Sequence, residues 1–222
     1  METNAARIRV KPMILSIGMV ACVETALRML PVAPGSESMT ALGLARLVQI
    51  FLLMAILGAG EGLPAMGLSF SGLRPGVKSG ILWSLSIGGA VFMLIGLLRL
   101  QDVNLFPMIR VRTPPDSEGI LLLFCVGGLA GPVAEELFFR GVVYGFVRRW
   151  GVPAAITAST LLFLLAHPDA FQKIPVIQGA GGILFAVAYE VKKNLMVPIV
   201  IHALGNMSLF LFSVFPWVAV LF

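Results

Sequence analysis

The chain is dominated by seven apolar stretches, each close to the length of a membrane-crossing helix, separated by segments rich in proline, glycine or charged residues. Lipid offers the backbone no hydrogen-bond partners, so only helices and closed barrels cross a bilayer, and a helix needs about 20 apolar residues to do so. The sequence therefore predicts an all-α, polytopic transmembrane bundle of about seven spans. The predicted spans are 13–30, 40–60, 79–98, 119–147, 153–167, 174–191 and 194–214.

The amino-acid composition also favours a membrane protein over a soluble one. Of 222 residues, 58% are hydrophobic and 12% are charged, so a single membrane domain, 1–222, accounts for the whole chain. It divides into three spans without a recognisable motif, 1–118, and a motif-bearing core, 119–214. No soluble catalytic domain fits, and any chemistry is expected within or beside the bilayer. The net charge of +5 is attributed to membrane topology rather than to nucleic-acid binding.

Basic residues are distributed unevenly between the two sides of the predicted bundle. One set of flanks holds Arg7, Arg9, Lys11, Arg74, Lys78, Arg148, Arg149, Lys192 and Lys193, and the opposite set holds Arg99, Arg110, Arg112 and Lys173. Because cytoplasmic flanks carry the excess of lysine and arginine, this bias predicts a cytoplasmic N-terminus. The compact chain is typical of a bacterial inner (plasma) membrane protein.

Several local features of the first spans carry structural expectations. Glu24 and Arg28 are four residues apart and are expected to neutralise each other on one helix face. Arg46 lies early enough in the second span to extend toward the interface. Cys22 and Cys125 are expected to be small core residues, since their spacing suggests neither a metal site nor a disulfide.

Glycine and proline mark positions of close packing and of helix distortion. Gly88-Gly89 in the third span and the glycine-rich stretch 179–182 in the sixth are suited to tight helix contacts. Pro132 lies within the fourth span, where its ring removes a backbone donor and clashes one turn back. The helix is therefore expected to kink just before residue 135.

The fourth span carries three ionisable residues in an otherwise apolar run: Glu135, Glu136 and Arg140. Charges at membrane depth are costly, and a cluster of them indicates a functional site. Glu136 and Arg140 stack on one helix face, whereas Glu135 is rotated by about 100°. The interpretation is that Glu136 and Arg140 form a structural pair and that Glu135 is free for chemistry. The alternative is that both carboxylates only join a polar helix contact.

The two histidines of the chain, His167 and His202, also lie in apolar segments. Measured from the inner ends of their spans, Glu135, His167 and His202 lie roughly 21, 21 and 14 Å deep, at about 1.5 Å per residue, so they can meet at one level. Asn206 shares a helix face with His202. Hydrolysis of a peptide bond needs a base for water and donors for the oxyanion, and these side chains can supply both. A lone histidine in an apolar helix can also be a hydrogen-bonded packing residue.

The spacings Glu135-Glu136-x-x-x-Arg140, Phe163-x-x-x-His167 and His202-x-x-x-Asn206, in this order on separate segments, resemble the CPBP family. That family comprises type II CAAX prenyl endopeptidases and bacteriocin-processing proteins, classed as glutamic intramembrane proteases. The resemblance covers 119–206. It implies Glu135 as the water-activating base assisted by His167, with His202 and Asn206 as the oxyanion site. It also implies structural support from Glu136, Arg140 and Phe163.

Rival functions remain open at this point. A glutamate and two histidines are also a catalytic zinc set, but the H-E-x-x-H arrangement is absent, so we expect no metal cofactor and keep zinc as an alternative. A non-catalytic immunity or scaffold protein of the same family is a second alternative. A proton-relaying transporter is a third, although no repeated halves are present.

The expected substrate is a membrane-anchored or lipidated protein, cut near its membrane-associated, C-terminal end. The resemblance offers prenylated CAAX peptides, bacteriocin leaders or C-terminal sorting signals, and the residues do not choose among them. No nucleic-acid partner is expected, and the sequence does not indicate an oligomeric state.

Overall fold

The protein is a bundle of seven long helices, seen in a computed structural model that describes residues 8–59, 62–105, 109–167 and 176–215. The helices are α1 Val10–Met29, α2 Ser36–Ala59, α3 Phe70–Arg99, α4 Ser117–Trp150, α5 Val152–Leu165, α6 Val176–Lys192 and α7 Met196–Val214. A short 3₁₀ turn, Leu63–Met66, precedes α3, and the described residues contain no strand. The all-α fold class is confirmed.

The predicted spans match these helices to within a few residues, with one exception. Helix α3 begins at Phe70, nine residues before the predicted start, because Ser69 caps it by accepting a hydrogen bond from the Gly72 amide at 3.1 Å. The predicted end of the second span, residue 60, and the predicted start of the sixth, residue 174, lie outside the described residues.

Five of the described helices, α1, α2, α3, α4 and α7, are long and apolar enough to cross a membrane. The other two are shorter: α5 has 14 residues and α6 has 17. At about 1.5 Å per residue they extend for roughly 21 and 26 Å, less than the hydrocarbon thickness of about 30 Å. Both short helices pack against each other, and α5 also packs against α4.

Helix α4 forms the centre of the bundle and contributes much of its buried surface. Its second half is buried almost continuously from Gly131 to Tyr144, whereas α1, α2 and α3 expose leucine, valine and phenylalanine side chains along their length. Exposed apolar side chains suit a lipid environment. The charged residues in this buried stretch, Glu135, Glu136 and Arg140, are therefore withdrawn from lipid into the interior of the bundle.

The close packing expected of Gly88-Gly89 is wrong for the described part of the structure, where neither glycine has a neighbour within 4 Å of a built Cβ. Helix α3 instead approaches α7 through Gly76 and Gly80. A Cβ at Gly80 would lie 2.6 Å from the Val200 Cβ, so the two backbones meet there. The glycine stretch of α6 does make its expected contact, since a Cβ at Gly182 would lie 2.9 Å from a methyl group of α5.

Glu24 does not pair with Arg28 by any direct contact that the structure describes. It accepts hydrogen bonds from Arg46 and Gln49 of α2, the latter at 2.9 Å. The α1–α2 hairpin places these three side chains at one level, so Arg46 points into the helix pair rather than to the interface. Cys22 and Cys125 are exposed free thiols and not core residues.

Asp116 ties the beginnings of two helices together. Its Oδ1 accepts from the Gly119 amide at 2.6 Å and caps α4, while its Oδ2 accepts from the Ser36 amide at 3.1 Å, at the start of α2. Each helix begins with amides that have no intrahelical partner. One carboxylate therefore satisfies donors from both helices and fixes α2 against α4.

Candidate active site

The two adjacent glutamates lie on a short α-helical segment of α4, Gly131–Glu136, between two wider π-type stretches, Leu123–Ala130 and Leu137–Tyr144. In the first of these, the Gly131 amide donates to the Val126 carbonyl, five residues back. The next donor in this register would be residue 132, and proline has no N–H. The expected distortion at Pro132 is thus a change of hydrogen-bond register, of the kind often found at functional sites.

Asn206 uses the carbonyl that this change of register releases. The Gly127 oxygen has no π-register partner, because its donor would be Pro132, and Asn206 Nδ2 donates to it at 2.9 Å. This bond holds the carboxamide of α7 against α4. The amide nitrogen carries two hydrogens and gives one to Gly127, so a second hydrogen is left to donate.

Glu136 and Arg140 form the expected ion pair, with Arg140 Nη1 2.9 Å from Glu136 Oε1 and both side chains fully buried. Arg140 Nη2 also donates to the Gly182 carbonyl of α6 at 3.0 Å. The guanidinium lies 5.0 Å from the Phe163 ring centroid and 5.3 Å from that of Phe185. Both distances suit a cation–π contact, so α5 and α6 are held to the charge on α4.

His202 brings α7 to the same carboxylate. Its Nδ1 lies 2.9 Å from Glu136 Oε1, the oxygen that also accepts from Arg140. A carboxylate paired with arginine is an acceptor, so Nδ1 carries the hydrogen of the neutral imidazole. Nε2 then has the lone pair, and it lies 3.8 Å from Glu135 Oε2.

Glu135 accepts no hydrogen bond that the structure describes, whereas Glu136 Oε1 accepts from both Arg140 and His202. The Oε2 atoms of both glutamates are buried without a partner among the described residues. The Glu135 side chain is 23% exposed, whereas that of Glu136 is 0% exposed. Glu136 is therefore engaged with Arg140 and His202, while Glu135 is partly exposed and has no ion pair closer than His202.

His167 reaches the cluster through an aromatic ring. Its Nδ1 donates to the Phe163 carbonyl at 2.7 Å, and its ring lies 4.5 Å from the Phe163 ring. Phe163 in turn lies edge-on to His202, with centroids 5.8 Å apart. The structure therefore brings Glu135, Glu136, Arg140 and His202 together directly, while His167 and His202 each contact the Phe163 ring.

Sequence reasoning missed Phe185 and the carbonyls of Gly127 and Gly182. Phe185 lies on α6 and stacks on His202, with centroids 4.5 Å apart and an interplanar angle of 18°. Its only signal in the sequence is its position one turn after Gly181, in the glycine stretch expected to pack closely. Every residue has a backbone carbonyl, so the sequence does not show which carbonyls accept side-chain hydrogen bonds. The two glycines indicate only that a neighbouring side chain can come close.

Among the described residues, no three histidine, cysteine or acidic side chains are arranged to share a metal ion. One reason why these side chains do not form a metal site is that Glu136 and His202 Nδ1 are hydrogen-bonded to each other. Glu135 and the Nε2 of His202 remain as the two acceptors that face one another.

The part of the chain that builds this cluster resembles known proteins. Residues 117–208 match the family model described as type II CAAX prenyl endopeptidase Rce1-like. Over 85 residues the chain is 42% identical to the membrane-embedded CAAX protease MroQ of Staphylococcus aureus (strain USA300), covering 35% of this chain and 34% of that protein. Over 90 residues it is 29% identical to the protein named putative membrane peptidase YdiL of Bacillus subtilis (strain 168), covering 40% of this chain and 36% of that protein.

These matches span about a third of the length of each relative. No solved structure matches the chain significantly. The family match includes every motif residue from Glu135 to Asn206 and excludes α1, α2 and α3. The resemblance to the Rce1-like type II CAAX prenyl endopeptidases is therefore carried by the motif-bearing part of this membrane protein, residues 117–208.

Proposed function

We propose that the protein is an intramembrane endopeptidase that hydrolyses a peptide bond near the membrane-associated, C-terminal end of a protein substrate. The observation that carries this proposal is the 3.8 Å separation between Glu135 Oε2 and His202 Nε2. Both atoms are hydrogen-bond acceptors, and the gap is too long for a direct bond. A small turn of the Glu135 carboxylate, whose Oε2 is buried in the structure, would admit one water molecule between them. That water would donate a hydrogen to each atom and keep a lone pair free for attack.

Glu135 is the base in this mechanism. It has no cation directly on it, unlike Glu136, so its carboxylate is free to accept a proton from the bridging water as that water attacks the substrate carbonyl. The same proton then passes to the leaving amine. His167, which contacts the Phe163 ring, assists Glu135, and this role rests on the family resemblance rather than on a contact with Glu135.

Asn206 and His202 stabilise the oxyanion of the tetrahedral intermediate. Asn206 offers the amide hydrogen that Gly127 does not use. His202 first accepts the second hydrogen of the bridging water at Nε2, and it can donate to the oxyanion from Nε2 once that proton has passed to it, because its Nδ1 hydrogen already points to Glu136.

Two narrower alternatives remain distinct from this proposal. In a metal-dependent version, a zinc ion would activate the water; against it, the structure arranges no three ligating side chains together within the described residues. In a non-catalytic scaffold or immunity protein, the four polar residues would serve only packing. The exposure of Glu135 and its lack of a partner favour chemistry, because a packing carboxylate would be paired.

The substrate, the cofactor requirement and the orientation are part of the same proposal. The name of MroQ refers to CAAX proteolysis, and this supports a lipidated or membrane-anchored C-terminal segment as the substrate class. We place the chain in a bacterial inner membrane with its N-terminus in the cytoplasm, on the distribution of lysine and arginine. We assign it no metal cofactor and no nucleic-acid partner.

The decisive experiment measures cleavage by purified protein in lipid vesicles. Three fluorogenic probes are compared: a farnesylated CAAX peptide, a bacteriocin leader and a C-terminal sorting segment. Wild type should cut at least one of them, and Glu135→Gln should cut none while it folds normally. In cells, terminal proteomics of a strain carrying Glu135→Ala should reveal accumulated uncut precursors. Failure of all three probes, together with unchanged proteomes, would leave the scaffold alternative.

A further inference from the structure

Helix α6 contributes an aromatic ring to the cluster that belongs to none of the three motifs. The Phe185 ring lies parallel to the His202 imidazole, with centroids 4.5 Å apart and planes 18° apart, and Phe185 is 8% exposed. We propose that Phe185 is a positioning residue that fixes the plane of the His202 imidazole, so that its Nε2 stays turned toward Glu135. This inference rests on the hydrolytic function proposed above.

A single hydrogen bond does not fix an imidazole ring. The bond from Nδ1 to Glu136 anchors one edge of His202, but the ring can still rock about that bond, because the last torsion of a histidine side chain is broad. A flat ring stacked on the imidazole face blocks this rocking. Glu136 and Phe185 thus restrain different motions of the same group, one acting on its edge and the other on its face.

Phe185 is itself held firmly. A Cβ at Gly181 would lie 3.3 and 3.4 Å from the Cε2 and Cζ of the Phe185 ring, so the missing side chain at Gly181 provides the space for that ring. Phe163 lies edge-on to it, with centroids 6.3 Å apart and an interplanar angle of 89°. The Arg140 guanidinium lies 5.3 Å from its centroid. A ring confined on these sides can transmit its orientation to His202.

The consequence for the reaction follows from the gap between the two acceptors. Water bridges Glu135 Oε2 and His202 Nε2 only while Nε2 faces the carboxylate, and small displacements of reacting groups cost large factors in rate. Phe185 is buried behind the imidazole. Removal of its ring should therefore lower kcat and leave KM nearly unchanged.

The chain is well suited to a direct test, because it has only two histidines. Histidine labelled with ¹⁵N and ¹³C gives two imidazole signals in detergent micelles, and His167→Gln leaves only that of His202. A stacked aromatic ring shifts the His202 ring protons upfield. Phe185→Leu should abolish this shift, and Phe185→Tyr should keep it.

Tyr189→Leu is the matched control. Tyr189 lies one turn further along α6 and is also 8% exposed, but its ring packs on Tyr144, with centroids 5.5 Å apart, and not on His202. We expect Phe185→Leu to lower kcat roughly three- to tenfold, the range of an aromatic pair energy, with KM within about twofold of wild type. Phe185→Tyr should retain most activity, and Tyr189→Leu should retain both kcat and the upfield shift.

The outcomes separate this inference from the proposed function. If Phe185→Leu leaves the His202 resonances unchanged, or lowers kcat no more than Tyr189→Leu does, Phe185 is ordinary core packing and the inference is wrong. If Phe185→Leu does not fold, Phe185→Met, whose flexible side chain adapts to the vacated space without a flat ring, answers the same question. If wild type cuts no probe, the proposed function fails, while the resonances still decide whether Phe185 orients His202.

Discussion

Replacing each of the two adjacent glutamates by glutamine should give opposite results. Glu136 and Arg140 are both fully buried and 2.9 Å apart. Glu136→Gln keeps the size of the side chain but leaves the Arg140 charge uncompensated in the bundle interior. Breaking a buried pair in this way costs about 3–5 kcal/mol. For a chain of this size, about 2–4 °C is lost per kcal/mol, so the melting temperature should fall by roughly 6–20 °C.

Glu135→Gln should have almost no effect on stability. The side chain is 23% exposed, and its nearest ionisable contact is His202 Nε2 at 3.8 Å, beyond hydrogen-bond range. A substitution of this kind changes stability by less than about 1 kcal/mol. It removes the proposed base, however, so this variant should melt like wild type and be inactive.

The double variant Glu136→Gln with Arg140→Met separates stability from catalysis. Replacement of both members of a buried ion pair by neutral or apolar groups is often neutral, so most of the lost stability should return. Activity should not return, because His202 Nδ1 has then lost the carboxylate that orients it.

Thermal unfolding in detergent can be followed by the intrinsic fluorescence of the three tryptophans, alongside cleavage of the same peptide probe. Melting temperatures of the two single variants within about 2 °C of each other, a difference worth less than roughly 1 kcal/mol, would contradict the different roles of Glu135 and Glu136. A double variant as unstable as Glu136→Gln would contradict the buried ion pair as the source of the lost stability.

Three further predictions use other parts of the structure. Asp116→Ala should lower the free energy of unfolding by about 1–2 kcal/mol, because it removes the caps of α4 and α2. Thermal unfolding measures this loss, with Glu118→Ala, an exposed residue in the same turn, as the control. Equal losses in the two variants would contradict the capping role. Pro132→Ala should supply an N–H to the Gly127 carbonyl and so displace Asn206 from it. We expect kcat to fall at least about tenfold while the free energy of unfolding stays the same. An unchanged kcat would argue against Asn206 as an oxyanion donor. Activity should survive exhaustive chelation, and a loss that added zinc reverses would favour the metal-dependent alternative.

The helices and the Glu136–Arg140 pair could be predicted from the sequence because both depend on local spacing. Long apolar runs limit the backbone to helices, and two residues four apart on a helix face each other whatever surrounds them. The same local rule failed for Glu24, which takes Arg46 from the neighbouring helix rather than Arg28 from its own. Which of two cations a carboxylate meets depends on how α1 and α2 are paired, and spacing carries no information about that.

The site could be predicted as a set of residues but not as a set of contacts. The motifs named the polar side chains, yet His202 Nδ1 bonds to Glu136, a residue assigned only to Arg140 by spacing. The carbonyl that holds Asn206 is released by a change of helix register at Pro132, which the proline suggested only as a kink. Phe185 carries no charge and no motif, so only the packing of α6 against α7 reveals it.

The shortness of α5 has a consequence for how hydrolytic water arrives. One end of this 14-residue helix adjoins Trp150 and the basic end of α4, which mark one surface of the bilayer. Its other end therefore stops roughly 9 Å short of the opposite surface. We expect acyl chains against the exposed Leu161 and Leu165 to shorten or bend to match this helix, which would thin the leaflet there. Under the proposed function, such thinning would bring headgroup water toward the level of His167 and supply the hydrolysis without a pore through the protein.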